Sequence, residues 1–233
     1  MIFMVCASLA LGFWQLGRAH QKQTLLTQQA NSTQQQSVEN EALLKLDPLA
    51  QKDHLFAPVK LQGQFDSAHT ILLDNKTNHG QVGYHVLAPF WLSDNTLIYI
   101  NRGWIPQKGP RKFKPKPEPV LGEVTIEGYL DFAYRNRFVS EVLESSETND
   151  WPLRMQQIDL KMLSNLTGKT IFPMLVILKD TSPYSFVPAP APTSWLNPQR
   201  HRAYAFQWFC LAAVIFALYC VNQYAQFRKR QKQ

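Results

Sequence analysis

Residues 203–221 read AYAFQWFCLAAVIFALYCV, a run without a charged side chain. As a helix rising about 1.5 Å per residue, this run would be roughly 28 Å long, close to the hydrocarbon thickness of a bilayer. Tyrosine and tryptophan occur near its ends, as they do in the interfacial zones of membrane helices. The alternative is a buried core helix, but such helices rarely lack a polar face over this length. We therefore predict a transmembrane helix at 203–221, followed by a basic cytoplasmic tail at 222–233.

A second apolar run, MIFMVCASLALGFWQLG, fills residues 1–17. A signal peptide is the alternative, because residues 7–10 are small enough for a cleavage site. A signal peptide also needs a positive region before its apolar stretch, and no basic side chain precedes this one. Trp14 and Arg18 near the end of the run are instead typical of an interfacial anchor. We therefore predict a retained transmembrane helix at 1–17.

The orientation of the two helices follows from the lysine and arginine residues beside them. The second helix has four basic residues after it and two before it, Arg200 and Arg202, so its C-terminus should be cytoplasmic. The first helix disagrees, because Arg18 and Lys22 follow it. We give priority to the larger count and expect further basic residues upstream of Met1. Both termini are then cytoplasmic and the region between the helices is periplasmic.

The region between the two apolar runs divides into three parts. Residues 18–52 are rich in glutamine, serine, threonine and asparagine and have little to bury, so we predict a polar linker or a helical extension there. Residues 183–202 carry prolines at short intervals, which predicts a stiff segment that returns the chain to the membrane. The folded domain should therefore occupy residues 53–182.

Alternation of apolar and polar side chains predicts strands in this domain, at 59–65, 84–90 and 124–130. A turn at 93–95 should join the strand GYHVLAPF to LIYINRGW as a hairpin. The apolar run 173–178 is either a strand buried on both faces or the closing strand of a barrel. Asp159 and Gly168 are typical of the start and the end of a short helix between these strands.

These elements define a fold class. We predict a membrane α+β protein in which two transmembrane helices flank one antiparallel β-barrel-like periplasmic domain with one or two short helices. The three cysteines, Cys6, Cys210 and Cys220, all fall in the apolar ends, so the domain has no disulfide of its own.

Composition and motifs argue against two classes of function. The formal net charge is +7, and much of it lies in the C-terminal tail and in one proline-rich stretch, 108–116. Nucleic-acid binding would need a basic motif interleaved with aromatic residues, so we expect no nucleic-acid partner. LTGKT at 166–170 lacks the first glycine of a phosphate-binding loop, and no nucleophile–base motif occurs. We therefore predict that the protein is not an enzyme and has no catalytic residues.

Four short motifs follow one another along the chain. LGFWQLGR ends the first apolar run, GYHVLAPF and INRGWIP lie in the β region, and HRAYAFQW opens the second helix. Together they resemble the surfeit locus protein 1 family, whose members are membrane proteins that assist assembly of cytochrome c oxidase. The resemblance extends over nearly the whole chain, including the helix–domain–helix plan.

The resemblance implies an assembly factor. Its expected role is to assist insertion of haem a into the largest subunit of cytochrome c oxidase, or maturation of that subunit. The implied partners are this subunit, the haem a synthesis machinery and the lipid bilayer. A cofactor-free scaffold that stabilises a subunit intermediate is one alternative, and a membrane-tethered periplasmic enzyme is the other. Because the chain has no arginine-rich presequence, we expect a bacterial inner membrane.

The resemblance also implies a haem site at the start of the second helix. The family pattern H-x-x-Y-x-x-x-W corresponds to His201, Tyr204 and Trp208, with His201 as the implied ligand of the haem iron. These positions share one helix face, on which a flat macrocycle could lie. Arg200 and Arg202 could pair with the propionates. The alternative is a solvated interfacial cluster.

A second candidate site lies in the motif INRGWIP. Arg102 follows a strand, Gly103 permits a tight turn, and Trp104 can anchor that turn. One interpretation is a structural corner in which the arginine has its hydrogen-bond partners inside the domain. The other is a partner-docking surface formed by Arg102 and Trp104.

Overall fold

The computed structural model describes residues 1–32, 34–46, 53–133, 151–188 and 196–231. The chain forms two compact units, of which one combines Met1–Gln28 with Thr193–Gln233 and the other comprises Gln29–Pro192. Residues 47–52 of the predicted linker and residues 189–195 of the predicted return segment lie outside the described residues.

The first unit contains the two long helices. These are α1 (Ile2–Ser32) and α4 (Pro198–Arg230), and both are long and apolar enough to cross a membrane. Helix α4 begins sharply, because the Asn197 side chain accepts a hydrogen bond from the backbone N–H of Arg200 and a proline occupies the first helical position. The polar segment after residue 17 continues α1 through Ser32, so this part of the predicted linker is a helical extension.

The second unit is built on one seven-stranded sheet. Its strands are β1 (Pro58–Gln64), β2 (Ile71–Asn78), β3 (Gln81–Ser93), β4 (Thr96–Pro106), β5 (Glu123–Phe132), β6 (Leu153–Met155) and β7 (Thr170–Leu178), in the spatial order β1-β5-β7-β4-β3-β2-β6. The predicted hairpin is confirmed, since β3 and β4 pair antiparallel across a turn at Asp94 and Asn95. The alternating burial of β1 and β5 is confirmed as well.

The predicted antiparallel barrel is wrong. The sheet is mixed, because β6 runs parallel to β2 and β7 runs parallel to β4. It is also open, with β1 and β6 at its two edges and no pairing between them in the part of the chain that the structure describes. Side-chain alternation fixes which face a residue occupies but not which strand lies beside it, so the pattern could not distinguish these arrangements.

Both faces of the sheet carry apolar side chains, which explains the continuous apolar run in β7. Val176 packs in a core with Leu61, Phe90 and Ile126 on one face. Leu175, the next residue, belongs to a separate core on the other face, which also contains residues of β2, β3 and β6. A central strand covered on both faces therefore needs no polar alternation.

A short helix, α3 (Leu160–Thr167), covers the second of these cores through the buried side chain of Leu163. The Asp159 side chain accepts a hydrogen bond from the backbone N–H of Met162 at 3.0 Å, and Gly168 ends the helix in the left-handed conformation. Both predicted helix boundaries are confirmed.

The edge of β1 is covered by the chain that follows α1. Val38 forms a parallel bridge with Val59. The side chain of Asn40, at the start of α2 (Asn40–Leu44), then accepts from the backbone N–H of Gln62 at 2.9 Å and donates to its carbonyl at 2.7 Å. The amide side chain of Asn40 thus makes the backbone hydrogen bonds that a neighbouring strand would make. These groups of β1 would otherwise be open to pairing with another chain.

Candidate functional site

The first turn of α4 brings His201 against α1. Its Nδ1 atom lies 2.7 Å from Oε1 of Gln15, within hydrogen-bond distance. Gln15 is a polar residue in an apolar helix, and both side chains are partly buried. This partner was missed in the sequence analysis, although an isolated polar side chain among apolar ones is the usual signal of a functional or helix-pairing contact.

The hydrogen bond indicates which nitrogen of the imidazole donates. An amide oxygen can only accept, so Nδ1 donates to it. When the ring is neutral, its lone pair then lies on Nε2, the nitrogen that can bind a metal ion. A second residue that fixes the tautomer and the ring orientation is the usual arrangement for a metal-binding histidine.

Close packing of small residues holds Gln15 beside His201. A Cβ atom added at Gly12 would lie 2.4 Å from Cε1 of Phe209, so only glycine allows the two helices to come this close. The rings of Phe13 and Phe209 meet edge to face at 5.3 Å. Helix α1 therefore contacts α4 through positions 12, 13 and 15, and the histidine is part of that contact.

The other residues predicted around His201 are more open. Tyr204 is 45% exposed, Trp208 is partly buried, and Arg200 and Arg202 are exposed. The spacing of three and seven residues places Tyr204 and Trp208 along the same helix face as His201. Of this stripe, His201 is the residue that contacts Gln15.

Arg102 of β4 lies inside the second unit, with 5% of its surface exposed. Its Nε donates to the carbonyl of Tyr184 at 2.9 Å, and one terminal nitrogen donates to the carbonyl of Glu118 at 2.9 Å. The guanidinium also lies 4.6 Å from the centre of the Phe186 ring. Burial lowers the pKa of Arg102 from its usual value, although the charge persists at any physiological pH.

Trp104 is buried as well, with 4% exposed, and its indole N–H donates to the carbonyl of Lys76 at 2.9 Å. Its backbone N–H donates to the carbonyl of Val187 at 2.7 Å, so residues 186–187 run beside this part of β4. Docking through Arg102 and Trp104 would require exposed side chains. Their burial favours the structural interpretation of the motif, but the predicted tight turn at Gly103 is wrong, because β4 continues through the motif to Pro106.

Two further titratable groups in the second unit are partly buried without a charged partner at hydrogen-bond distance in the described residues. Desolvation, assisted by the charge of Lys76, lowers the pKa of His85 to about 4, so the imidazole is neutral at pH 7. Desolvation raises the pKa of Asp131 to about 6, against a smaller opposite effect of the hydrogen bond from the Phe132 backbone. Neither group belongs to a cluster of three or more His, Cys, Asp or Glu among the described residues.

Comparison with known proteins agrees with the four sequence motifs. The SURF1 family model matches residues 2–213. Surfeit locus protein 1 of Mus musculus is 26% identical over 229 residues, which cover 91% of this chain and 71% of the mouse protein. Surfeit locus protein 1 of Gallus gallus is 25% identical, with the same two coverages of 91% and 71%. The SURF1-like protein of Rickettsia bellii is 26% identical over 90% of this chain and 83% of its own length. The family model covers α1, the sheet and the first half of α4, and this chain belongs to the SURF1 family.

Proposed function

We propose that this chain is a membrane-bound assembly factor for cytochrome c oxidase, which holds haem a on its way into the largest subunit. Membership of the SURF1 family and the two apolar helices support the assembly role. The observation that carries the haem part is the hydrogen bond from His201 to Gln15, because it leaves Nε2 available for the iron.

The surroundings of His201 fit a haem group that is cargo rather than a permanent cofactor. A single histidine ligand on a partly open helix face binds less firmly than a ligand enclosed on both sides of the macrocycle. Tyr204 and Trp208 offer aromatic surface beside the ligand, and Arg200 and Arg202 offer cations for the two propionates. No step of this role requires catalysis by a residue of this chain.

The proposed location follows from the charge around the second helix. Arg228, Lys229 and Arg230 lie in its last turn, which favours a cytoplasmic C-terminus in a bacterial inner membrane. Both termini would then be cytoplasmic, and the domain built on the sheet would be periplasmic.

A cofactor-free scaffold remains the second candidate, and the same contact favours it. A hydrogen bond between two helices in a membrane stabilises their pairing by about 0.6–2 kcal/mol. His201 and Gln15 would then serve only to hold the helix pair together. In this case the chain would stabilise an oxidase subunit intermediate without binding haem.

Visible absorption of the purified full-length protein separates the two candidates. The protein is co-expressed with haem a synthesis in three forms, wild type, His201→Ala and His20→Ala. His20 is an exposed histidine of α1 and is the matched control. We expect a haem spectrum for wild type and His20→Ala, and at least a tenfold lower occupancy for His201→Ala, because loss of an axial ligand removes the main bond to the iron.

A fourth variant, Gln15→Leu, tests the positioning of the ring. It keeps the approximate side-chain volume and removes the acceptor, so we expect weaker haem binding, within the 10- to 100-fold range typical of a lost orienting contact. Absence of a haem spectrum in the wild type, together with loss of oxidase assembly in His201→Ala, would identify the scaffold. Haem occupancy of His201→Ala equal to that of the wild type would reject the ligand role of His201.

A further inference from the structure

The connection between β4 and β5, residues 107–122, has the highest concentration of positive charge in the second unit. It reads QKGPRKFKPKPEPVLG, with five basic side chains and one acidic one. We refer to residues 107–122 as the basic loop. Neither the haem site nor the core of the sheet uses its charge.

The basic loop is held in place from inside the domain. Arg111 forms an ion pair with the buried carboxylate of Asp74 at 2.6 Å, and the Arg111 carbonyl accepts a hydrogen bond from Arg154 at 2.6 Å. At the other end, the carbonyl of Glu118 accepts from Arg102 at 2.9 Å. Two prolines, Pro115 and Pro117, further restrict the backbone between these points. The loop is therefore presented in one conformation, which reduces the entropy lost on binding.

Several side chains of the basic loop are exposed. Lys108, Lys112 and Lys116 are exposed, and none of the described residues forms an ion pair with them. Phe113 is 59% exposed, with the ammonium of Lys112 lying 5.1 Å from the centre of its ring, and Leu121 is 84% exposed. Lysines around an exposed aromatic ring are the combination that binds at a membrane interface, where the ring enters the headgroup zone and the ammonium groups meet phosphates.

We propose that the basic loop docks on anionic phospholipid headgroups of the membrane that the long helices occupy. Two features favour a lipid surface over an acidic protein. The first is the exposed phenylalanine between the lysines, because an apolar ring beside cations suits the headgroup zone of a bilayer. The second is the position of the domain in the chain, because it is joined to an apolar helix at each end and cannot leave the bilayer. Docking through the loop selects one orientation of the domain, and the tethers supply a high local concentration of lipid.

The expected effect is large enough to measure. Each lysine near an anionic surface contributes about a fivefold change in the ratio of docked to undocked protein, so removal of three should lower it about a hundredfold. The contribution is electrostatic, and it should weaken as the salt concentration rises from about 0.05 to 0.5 M.

The test uses the full-length chain in lipid nanodiscs. Cys6, Cys210 and Cys220 are replaced by alanine, and a fluorophore is attached through Leu121→Cys. The discs contain a nitroxide-headgroup lipid that quenches nearby fluorophores, with either zwitterionic lipid alone or about 30% anionic lipid. The zwitterionic discs are the matched control, and we expect strong quenching at position 121 only in anionic discs.

Charge variants identify the residues responsible. The triple variant Lys108→Gln, Lys112→Gln, Lys116→Gln should abolish quenching at position 121 and make it insensitive to salt. The control Lys45→Gln, Lys60→Gln, Lys161→Gln removes the same charge from exposed lysines elsewhere in the domain and should leave quenching unchanged. Phe113→Ser should reduce quenching without removing its salt dependence.

Equal quenching at position 121 in neutral and anionic discs would overturn the proposal. So would quenching that persists in the first triple variant. A loop that captures an acidic protein but shows no dependence on anionic lipid would assign the surface to a protein partner instead. The haem spectrum of the same preparations is an independent measurement, so failure of the docking proposal is distinguishable from failure of the proposed function.

Discussion

Gly103 is the residue of β4 on which the pairing with residues 186–187 depends. Its φ angle is +103°, and a Cβ atom there would lie 2.4 Å from the carbonyl oxygen of Val187. The close approach is what allows residues 186–187 to pair with β4 and cover Arg102 and Trp104. Any other residue at position 103 would therefore destabilise the fold in two ways. Its backbone would be strained, and its Cβ atom would collide with the carbonyl oxygen of Val187.

Gly103→Ala should lower the free energy of unfolding by at least about 3 kcal/mol, because both costs apply. Gly109 is the matched control, since its φ angle is +76° and nothing lies within 4 Å of the added atom. Gly109→Ala should cost only about 1 kcal/mol of strain. Chemical denaturation of the two full-length variants in the same detergent, followed by tryptophan fluorescence, measures the difference. Equal losses would show that residues 186–187 do not constrain this position.

Asp131 and His85 both make the stability of the fold depend on pH, and their effects are opposite in sign. The pKa of Asp131 is raised to about 6 in the folded protein, so the unfolded chain loses this proton first and stability falls as pH rises from about 4 to 6. The pKa of His85 is lowered to about 4, so the unfolded chain gains this proton first and stability rises as pH increases from about 4 to 6.5. Each effect amounts to about 3 kcal/mol and they oppose each other.

We therefore expect the two contributions nearly to cancel in the wild type between pH 4 and 6, and the variants to separate them. Asp131→Asn should leave a stability that rises with pH over this window and should be more stable than wild type at pH 8. His85→Gln should leave a stability that falls with pH over the same window. Denaturant unfolding at intervals between pH 4 and 8 gives both slopes. If Asp131→Asn leaves the pH profile unchanged, the carboxyl group is hydrated in the folded state.

At the scale of elements, the pairing of α1 with α4 depends on a single close contact. Apolar side chains gain nothing by leaving lipid for another helix, so helices in a membrane associate mainly through packing and hydrogen bonds. Gly12 supplies the packing against Phe209, and the contact of Gln15 with His201 supplies the hydrogen bond. The haem site proposed above exists only while these helices are paired.

Gly12→Val should therefore separate the helices, because its side chain would overlap the Phe209 ring. Gly17 lies on the same helix with nothing within 4 Å of an added Cβ, and Gly17→Val is the matched control. A benzoylphenylalanine in place of Phe13 would cross-link to α4 on illumination, and cleavage of the chain between the helices would then leave the two fragments joined. We expect Gly12→Val to lower the cross-linked fraction roughly fivefold or more and Gly17→Val to leave it unchanged. Equal cross-linking in the two variants would mean that the pair tolerates a wider separation.

The same scale shows which elements were predictable. Helix α3 follows from Asp159 and Gly168, since a side-chain cap and a left-handed glycine act within a few residues. The β3–β4 hairpin follows from a short polar turn between two alternating stretches. The parallel partners of β6 and β7 were not predicted, because they are brought together from distant parts of the chain and leave no local pattern.

At the scale of the whole molecule, the two long helices determine where the protein works. Both are apolar enough to span a bilayer, so the full-length chain should stay with the membrane after an alkaline carbonate wash. We also expect a membrane-impermeant maleimide to label Leu121→Cys but not Gln231→Cys in intact spheroplasts, on a background without native cysteines. Lysed cells, in which both positions react, are the control. Labelling of position 231 in intact spheroplasts would reverse the proposed orientation.

By itself, the sequence determined the plan of this protein, two apolar ends around a β-rich domain, and the family to which it belongs. Apolar length, charge and side-chain alternation act locally and can be recognised without knowing what lies nearby. The tertiary structure alone decided that the sheet is open and mixed, that Arg102 and Trp104 are buried, and that Gln15 meets His201. Each of these depends on contacts between residues far apart in the chain, where burial and hydrogen bonding are set by the neighbour and not by the residue itself.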